Sequence, residues 1–165
     1  MSAPSAPLHD GAIERRLAEL GLTLPKPRTT SVANLDKTVQ TGNLLFVSGH
    51  GPRNVDNEIM YTGKLGAEIS EEQGYDAARL CVLGCLTSVS LALGSLDRVT
   101  RVVKALGYIA SDPGFYKQPQ VMNGATDLLV DIFGDRGRPS RAAIGVAVIP
   151  HNMAMEVELI LEVAE

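Results

Sequence analysis

The sequence predicts an α+β domain in which one mixed sheet carries two long helices on a single face. Two long helix-patterned segments, 70–94 and 115–134, flank one strand-patterned segment, 99–111. Two strand-like segments precede that unit and two follow it, each pair joined by a short turn. The first long helix also presents Ala77, Ala78, Gly84 and Ser88, small residues that permit close packing onto a sheet. Strands and helices in this order favour two packed layers around one core. A chain of 165 residues is long enough to build it.

Residues 2–8 are rich in Pro, Ala and Ser and read as a flexible tail. Ile13, Leu17 and Leu20 recur at helical spacing, with Asp10 placed to cap the start and Gly21 to end the helix. Pro25 and Pro27 then impose an extended linker, because a residue before proline is pushed out of the helical region. We therefore place a tail and short helix at 1–28 and the main domain at 29–165. Residues 30–40 and 44–48 read as a hairpin around Thr41-Gly42-Asn43. Ser48-Gly49-His50-Gly51-Pro52 ends the second strand, and weak strand character follows near 58–62. Ser70 opens the first long helix, with Gln73 completing a Ser-x-x-Gln capping box and Gly94 closing it. After the strand at 99–111, Asp112-Pro113-Gly114 breaks the chain and a second helix runs over 115–133, closed by Gly134. The last strands are expected at 142–149 and 153–163, about the turn Pro150-His151-Asn152.

Composition narrows the function classes. Hydrophobic residues are 45% and charged residues 21%, a globular balance. A net charge of −4 with no basic run argues against a nucleic-acid surface. Cys81 and Cys85 lie four apart in an apolar helical run, so they read as core thiols. The apolar stretch at 80–93 is interrupted by Gly84, Thr87, Ser88 and Ser90, so no membrane span is expected and the cytoplasm is the expected compartment. The three histidines, His9, His50 and His151, are too scattered to form a metal motif.

Two segments together resemble the hallmarks of the RidA/YjgF family. They are Thr41-Gly42-Asn43-Leu44-Leu45-Phe46-Val47-Ser48-Gly49, and Arg138-Pro139-Ser140-Arg141-Ala142-Ala143 followed by Met155-Glu156-Val157-Glu158. The resemblance covers about residues 29–163. It implies a chorismate-mutase-like fold and a homotrimer with ligand clefts between neighbouring subunits. It also implies hydrolysis of small imines or enamines derived from amino acids, such as 2-aminoacrylate, to a 2-keto acid and ammonia, without metal or organic cofactor. By the same resemblance Arg141 grips the substrate carboxylate, Glu156 positions the attacking water, Ser48 and Gly49 line the cleft, and Asn123 joins them from the second long helix. The chain departs from the family pattern at Leu35, where a tyrosine is usual, at His50 in place of glutamine, and at Ala143 in place of a thiol.

The residues themselves support part of this. Arg141 opens an apolar strand, and a guanidinium there needs an anionic partner, either a ligand carboxylate or a structural one such as Glu156. Glu156 alternates with Met155 and Val157, so it points away from them, toward a site or toward solvent. Partial burial would raise its proton affinity and a neighbouring Arg141 would lower it. His50, in a glycine-flanked loop, would titrate near neutrality and could shuttle a proton. The competing reading is a trimer that binds a small carboxylate metabolite without turning it over.

Overall fold

A computed structural model describes residues 11–28 and 34–164, so the tail at 2–8, Asp10, His9 and the expected strand residues 30–33 lie outside it. The chain runs α1 (Ala12–Glu19), β1 (Thr38–Thr41), β2 (Leu44–His50), α2 (Glu71–Leu93), β3 (Val99–Ala110), α3 (Gln118–Phe133), β4 (Ser140–Val146) and β5 (Met155–Val163). The five strands form one sheet in the order β1-β2-β5-β3-β4. Only β3 and β4 pair in parallel; the other neighbours are antiparallel. The last strand therefore inserts between β2 and β3, and β4 is left at an edge.

One face of the sheet is covered by α2 and α3. Residues 155, 157, 159, 161 and 163 of β5 are buried in strict alternation, and they meet the apolar faces of the two helices. The expected fold class is the one observed. The helices approach each other closely at Gly124, where a Cβ atom would lie 2.0 Å from the Tyr75 carbonyl oxygen. Ser70 and Gln73 form the reciprocal capping box of α2, satisfying two helix-start donors. By length and composition α2 could cross a membrane, yet 56% of that stretch is buried inside the protein as core.

Several expected boundaries move, each for a local reason. β1 starts only at Thr38; Asn34 to Lys37 run outside the ladder. The strand character near 58–62 is reduced to two isolated bridges, Arg53 with Ile59 and Thr62 with Met153. β4 stops at Val146 because its partner β3 ends at Ala110, opposite it. α3 starts at Gln118, since Asp112 holds the preceding turn by accepting from the Gly114 and Phe115 N–H groups. The start of α1 is held from far away: the Asp97 carboxylate accepts from the N–H groups of Gly11, Ala12 and Ile13 at 2.7, 3.0 and 2.8 Å. Ile13 and Leu17 join the same buried cluster as the sheet and long helices, so α1 is packed into the core.

Candidate functional site

Strand register decides which face each candidate side chain takes, because residues directly paired across strands share a face. Arg141 pairs with Ala105, which pairs with Leu159, and both of those are buried under the helices. Arg141 therefore leaves the sheet on the helix side, at its β4 edge. Its Nη1 donates to Asn123 Oδ1 at 2.7 Å and Thr126 Oγ1 at 3.1 Å, both on α3. Although it opens an apolar strand, Arg141 is exposed rather than buried, because β4 is an edge strand. Among the described residues no carboxylate pairs with it. The remaining guanidinium nitrogens stay available to a planar acceptor.

Glu156 takes the other face. It pairs with Tyr108, which pairs with Ile144, all on the side the helices do not cover. A structural ion pair between Arg141 and Glu156 is thereby excluded within one chain. Glu156 lies directly over Gly49: a Cβ at that glycine would fall 1.6 Å from Glu156 Oε1, so any larger residue would displace the carboxylate. The bulge between Val47 and His50 creates this contact by shifting the β2 register. Burial, then the neighbouring Glu158, raises the proton affinity of Glu156, and Lys37 opposes the rise. The cation acting on it is thus Lys37 rather than the expected Arg141. Ser48 lines the same strand end, but its hydroxyl donates to the Asp36 carbonyl at 2.8 Å.

His50 turns to the helix side, opposite Val157, against Gly84 and Ser88 of α2. Its Nδ1 lies 2.6 Å from the Ser48 carbonyl oxygen, which can only accept, so Nδ1 carries the proton. Nε2, 2.8 Å from Ser88 Oγ, then accepts from that hydroxyl. Burial pushes the imidazole down to about 4, aided by the positive charges of Lys37 and Arg28 and opposed by the Ser48 carbonyl. The expected titration near neutrality is therefore corrected; His50 is an uncharged, fully bonded ring at pH 7. It borders a cavity of about 320 Å³ between α2, the loop after β2 and the segment at 25–28.

The sequence reading gathers Arg141, Glu156, Ser48, Gly49 and Asn123 in one cleft between subunits, whereas within one chain the fold joins Arg141 to Asn123 and Gly49 to Glu156 but not one pair to the other. It missed Thr126, three residues beyond Asn123 and so on the same helix face, a spacing that could have exposed it. It also missed Arg28, Lys37 and Arg53 around the cavity, which only the tertiary fold gathers. Cys81 and Cys85 are buried free thiols, and burial raises both above the ordinary range.

The sequence matches, over residues 14–163, the family described as "YjgF/chorismate_mutase-like, putative endoribonuclease". Protein TCP17 of Trypanosoma cruzi is 40% identical over 153 residues, spanning 92% of this chain and 94% of that protein. The crystal structure of Atu1372, a protein of unknown function from Agrobacterium tumefaciens, superposes with a TM-score of 0.86 at 39% identity, covering 93% of this chain and 94% of that one. E. coli TdcF, crystallised with bound serine, shares the fold at a TM-score of 0.57 and 19% identity, over 86% of this chain and 94% of its own. With a family match across nearly the whole chain and relatives near 40% identity, this protein belongs to the RidA/YjgF family.

Proposed function

We propose that this protein hydrolyses small imines and enamines derived from amino acids to 2-keto acids and ammonia, in clefts shared between copies of a homotrimer. The observation that carries the reading is the Arg141 guanidinium, exposed, aimed by Asn123 and Thr126, and without a carboxylate partner among the described residues. Such a group accepts a substrate carboxylate in bidentate fashion. Arg141 and Glu156 leave opposite faces of the sheet, so one substrate meets both when Arg141 comes from one copy and Glu156 from another. The uncovered sheet face supports such assembly: Val39, Phe46 and Ile144 are exposed there, beside Leu106 and Ile160.

In this reading an enamine is first protonated at carbon to its imine. Water adds to the imine carbon while Glu156 takes one of its protons. That proton passes to nitrogen, Glu156 then takes the hydroxyl proton as the C–N bond breaks, ammonia leaves, and the carbonyl of the 2-keto acid remains. A carboxylate with raised proton affinity suits that exchange better than an ordinary one. Fixing the carboxylate and one water supplies much of what an already electrophilic carbon requires.

The test is the decay of 2-aminoacrylate generated in situ and followed by stopped flow. Wild type accelerates it; Arg141→Ala lowers kcat/KM by about 10²-fold, the scale of a lost charge-assisted contact. Glu156→Gln lowers kcat by roughly 10² to 10⁴. A wild type without acceleration on any amino-acid-derived imine rejects the enzymatic reading. The second reading, carboxylate binding without turnover, is favoured by the separation of Arg141 from Glu156 within one copy. Thermal stabilisation by 2-keto acids, lost in Arg141→Ala and unaccompanied by product, would select it.

A further inference from the structure

The cavity at the end of β2 is the half of the proposed cleft that carries Gly49 and Glu156, and its charge exceeds what the proposed chemistry uses. Lys26, Arg28, Lys37 and Arg53 line it, in a chain of net charge −4, and Glu156 is the one carboxylate on its wall. Two of the four cations are already engaged. Lys26 Nζ lies 2.6 Å from Asp56 Oδ1, and Lys37 acts on Glu156. Arg28 and Arg53 have no ion-pair partner among the described residues. Arg28 is near enough to weaken the proton affinity of Arg53, so the two guanidinium groups face one space. Like charges held together beside a partly enclosed cavity repel unless an anion sits between them. In the proposed reaction the substrate's own carboxylate goes to Arg141 of a neighbouring copy and the water to Glu156. An anion at Arg28 and Arg53 is therefore a second one, carried by the substrate's side chain.

Both arginines are delivered by backbone that the fold fastens. Leu22 and Leu24, after α1, pack on the core, and the carbonyl of buried Pro25 accepts from Thr87 Oγ1 of α2 at 3.0 Å. The Lys26 N–H donates to the Val55 carbonyl at 3.0 Å, and the Lys26 carbonyl accepts from Asn57 Nδ2 at 2.9 Å. Asn57 serves both sides, because its own carbonyl accepts from Arg53 Nη1 at 2.6 Å and sets that guanidinium at the cavity wall. Donors held in place before a ligand arrives lose less freedom on binding it. Between the charges, Leu91, Ala92 and Met153 offer apolar surface, and about 320 Å³ admits a short carbon chain.

We infer that the cleft selects imines of acidic amino acids, their side-chain carboxylate held between Arg28 and Arg53, and that the segment after α1 sets this selectivity. The inference rests on the reading above for its chemistry: the reacting carbon and the hydrolysis are unchanged, and only the side chain is specified. A carboxylate between two guanidinium groups gains charge-assisted hydrogen bonds from each. An imine with an apolar side chain leaves both cations uncompensated, so the same pair favours one substrate class and disfavours the other.

The experiment compares the imines of glutamate and alanine, generated in situ by amino-acid oxidation, and the binding of their keto-acid products, 2-oxoglutarate and pyruvate, by titration calorimetry of the full chain. The glutamate imine has the higher kcat/KM, and 2-oxoglutarate binds roughly 10-fold or more tightly than pyruvate, as a second charge-assisted contact requires. Arg28→Gln and Arg53→Gln each shrink both preferences by about that factor, and Arg141→Ala weakens both keto acids. Arg28 is exposed, so its variant folds even where Arg53→Gln disturbs the loop held through Asn57. Equal affinity for the two keto acids, a preference that survives Arg28→Gln, or 2-oxoglutarate binding untouched by Arg141→Ala would each overturn the inference. The two readings fail separately. Selective binding without turnover of any imine strikes the hydrolysis and keeps the acidic selectivity; turnover of both imines without preference does the reverse.

Discussion

The Arg141 edge and the His50 cavity floor hold two side chains to which the sequence offers a chemical role, and the fold treats them in opposite ways. Arg141 is exposed on an edge strand with its plane set by two α3 side chains and its remaining donors open. His50 is enclosed under α2 with both ring nitrogens used inside the protein. A functional group must be oriented and still have unspent hydrogen-bonding capacity. Arg141 meets both conditions and His50 only the first. Residue type alone would rank them the other way, since a histidine near a glycine loop looks more like a catalyst than a surface arginine does.

Exchanging the two regions' roles is the strongest way to break this contrast. Arg141→Ala should lower kcat/KM for imine hydrolysis by about 10²-fold while leaving the thermal midpoint within a degree or two, because an exposed side chain carries little packing. His50→Ala should do the reverse. It leaves the Ser48 carbonyl and Ser88 hydroxyl without partners and opens a void, at a cost of about 2–4 kcal/mol in urea unfolding, with activity retained. Lost activity in His50→Ala at full folding would place the imidazole in the chemistry.

Acid stability sharpens the same contrast. The folded imidazole binds its proton only near pH 4, whereas the unfolded one does so near 6.5. The unfolded state therefore holds more protons between those values, and His50's contribution, present above 6.5, is lost as pH falls toward 4. The full span is worth about 3 kcal/mol. Glu156 acts in the opposite sense: its raised proton affinity costs stability as pH rises past the ordinary carboxylate range. Comparing wild type with His50→Gln by urea unfolding from pH 7 to 4 isolates the histidine. A flatter profile in the variant is expected; identical slopes would mean that the ring titrates normally.

The smallest effect concerns aim rather than charge. Asn123→Ala removes the shorter of the two bonds that set the Arg141 plane and should raise KM by up to about 10-fold with kcat nearly unchanged. Thr126→Ala, which removes the longer bond, should do less. Equal losses in kcat would mean that Asn123 touches the reacting atoms.

Local signals carried most of the fold. The capping box at Ser70, the breaks at Gly94 and Gly134 and the alternation of β5 are written in consecutive residues, and each appears where its pattern lies. What was hidden depends on distant pairing. Asp97 caps a helix 84 to 86 residues away, a partner that no local pattern in the sequence marks. Insertion of β5 between β2 and β3 makes β4 an edge, which is why an arginine in an apolar strand is exposed rather than enclosed. The bulge after Val47 exchanges the faces that Gly49 and His50 would take by simple alternation, a parity change with no mark in the sequence beyond the glycine itself. Spacing along β5 showed that Glu156 points away from the core. Only the register across β3 and β4 shows that it also points away from Arg141.

The central claim is therefore that Arg141 and Glu156 serve one substrate from different copies. Coexpressing Arg141→Ala and Glu156→Gln chains in equal amounts tests it directly. In a cyclic trimer with random mixing, about one cleft in four pairs an intact Arg141 with an intact Glu156, so about a quarter of wild-type turnover should return. Hybrids as inactive as either variant alone would contradict a shared site.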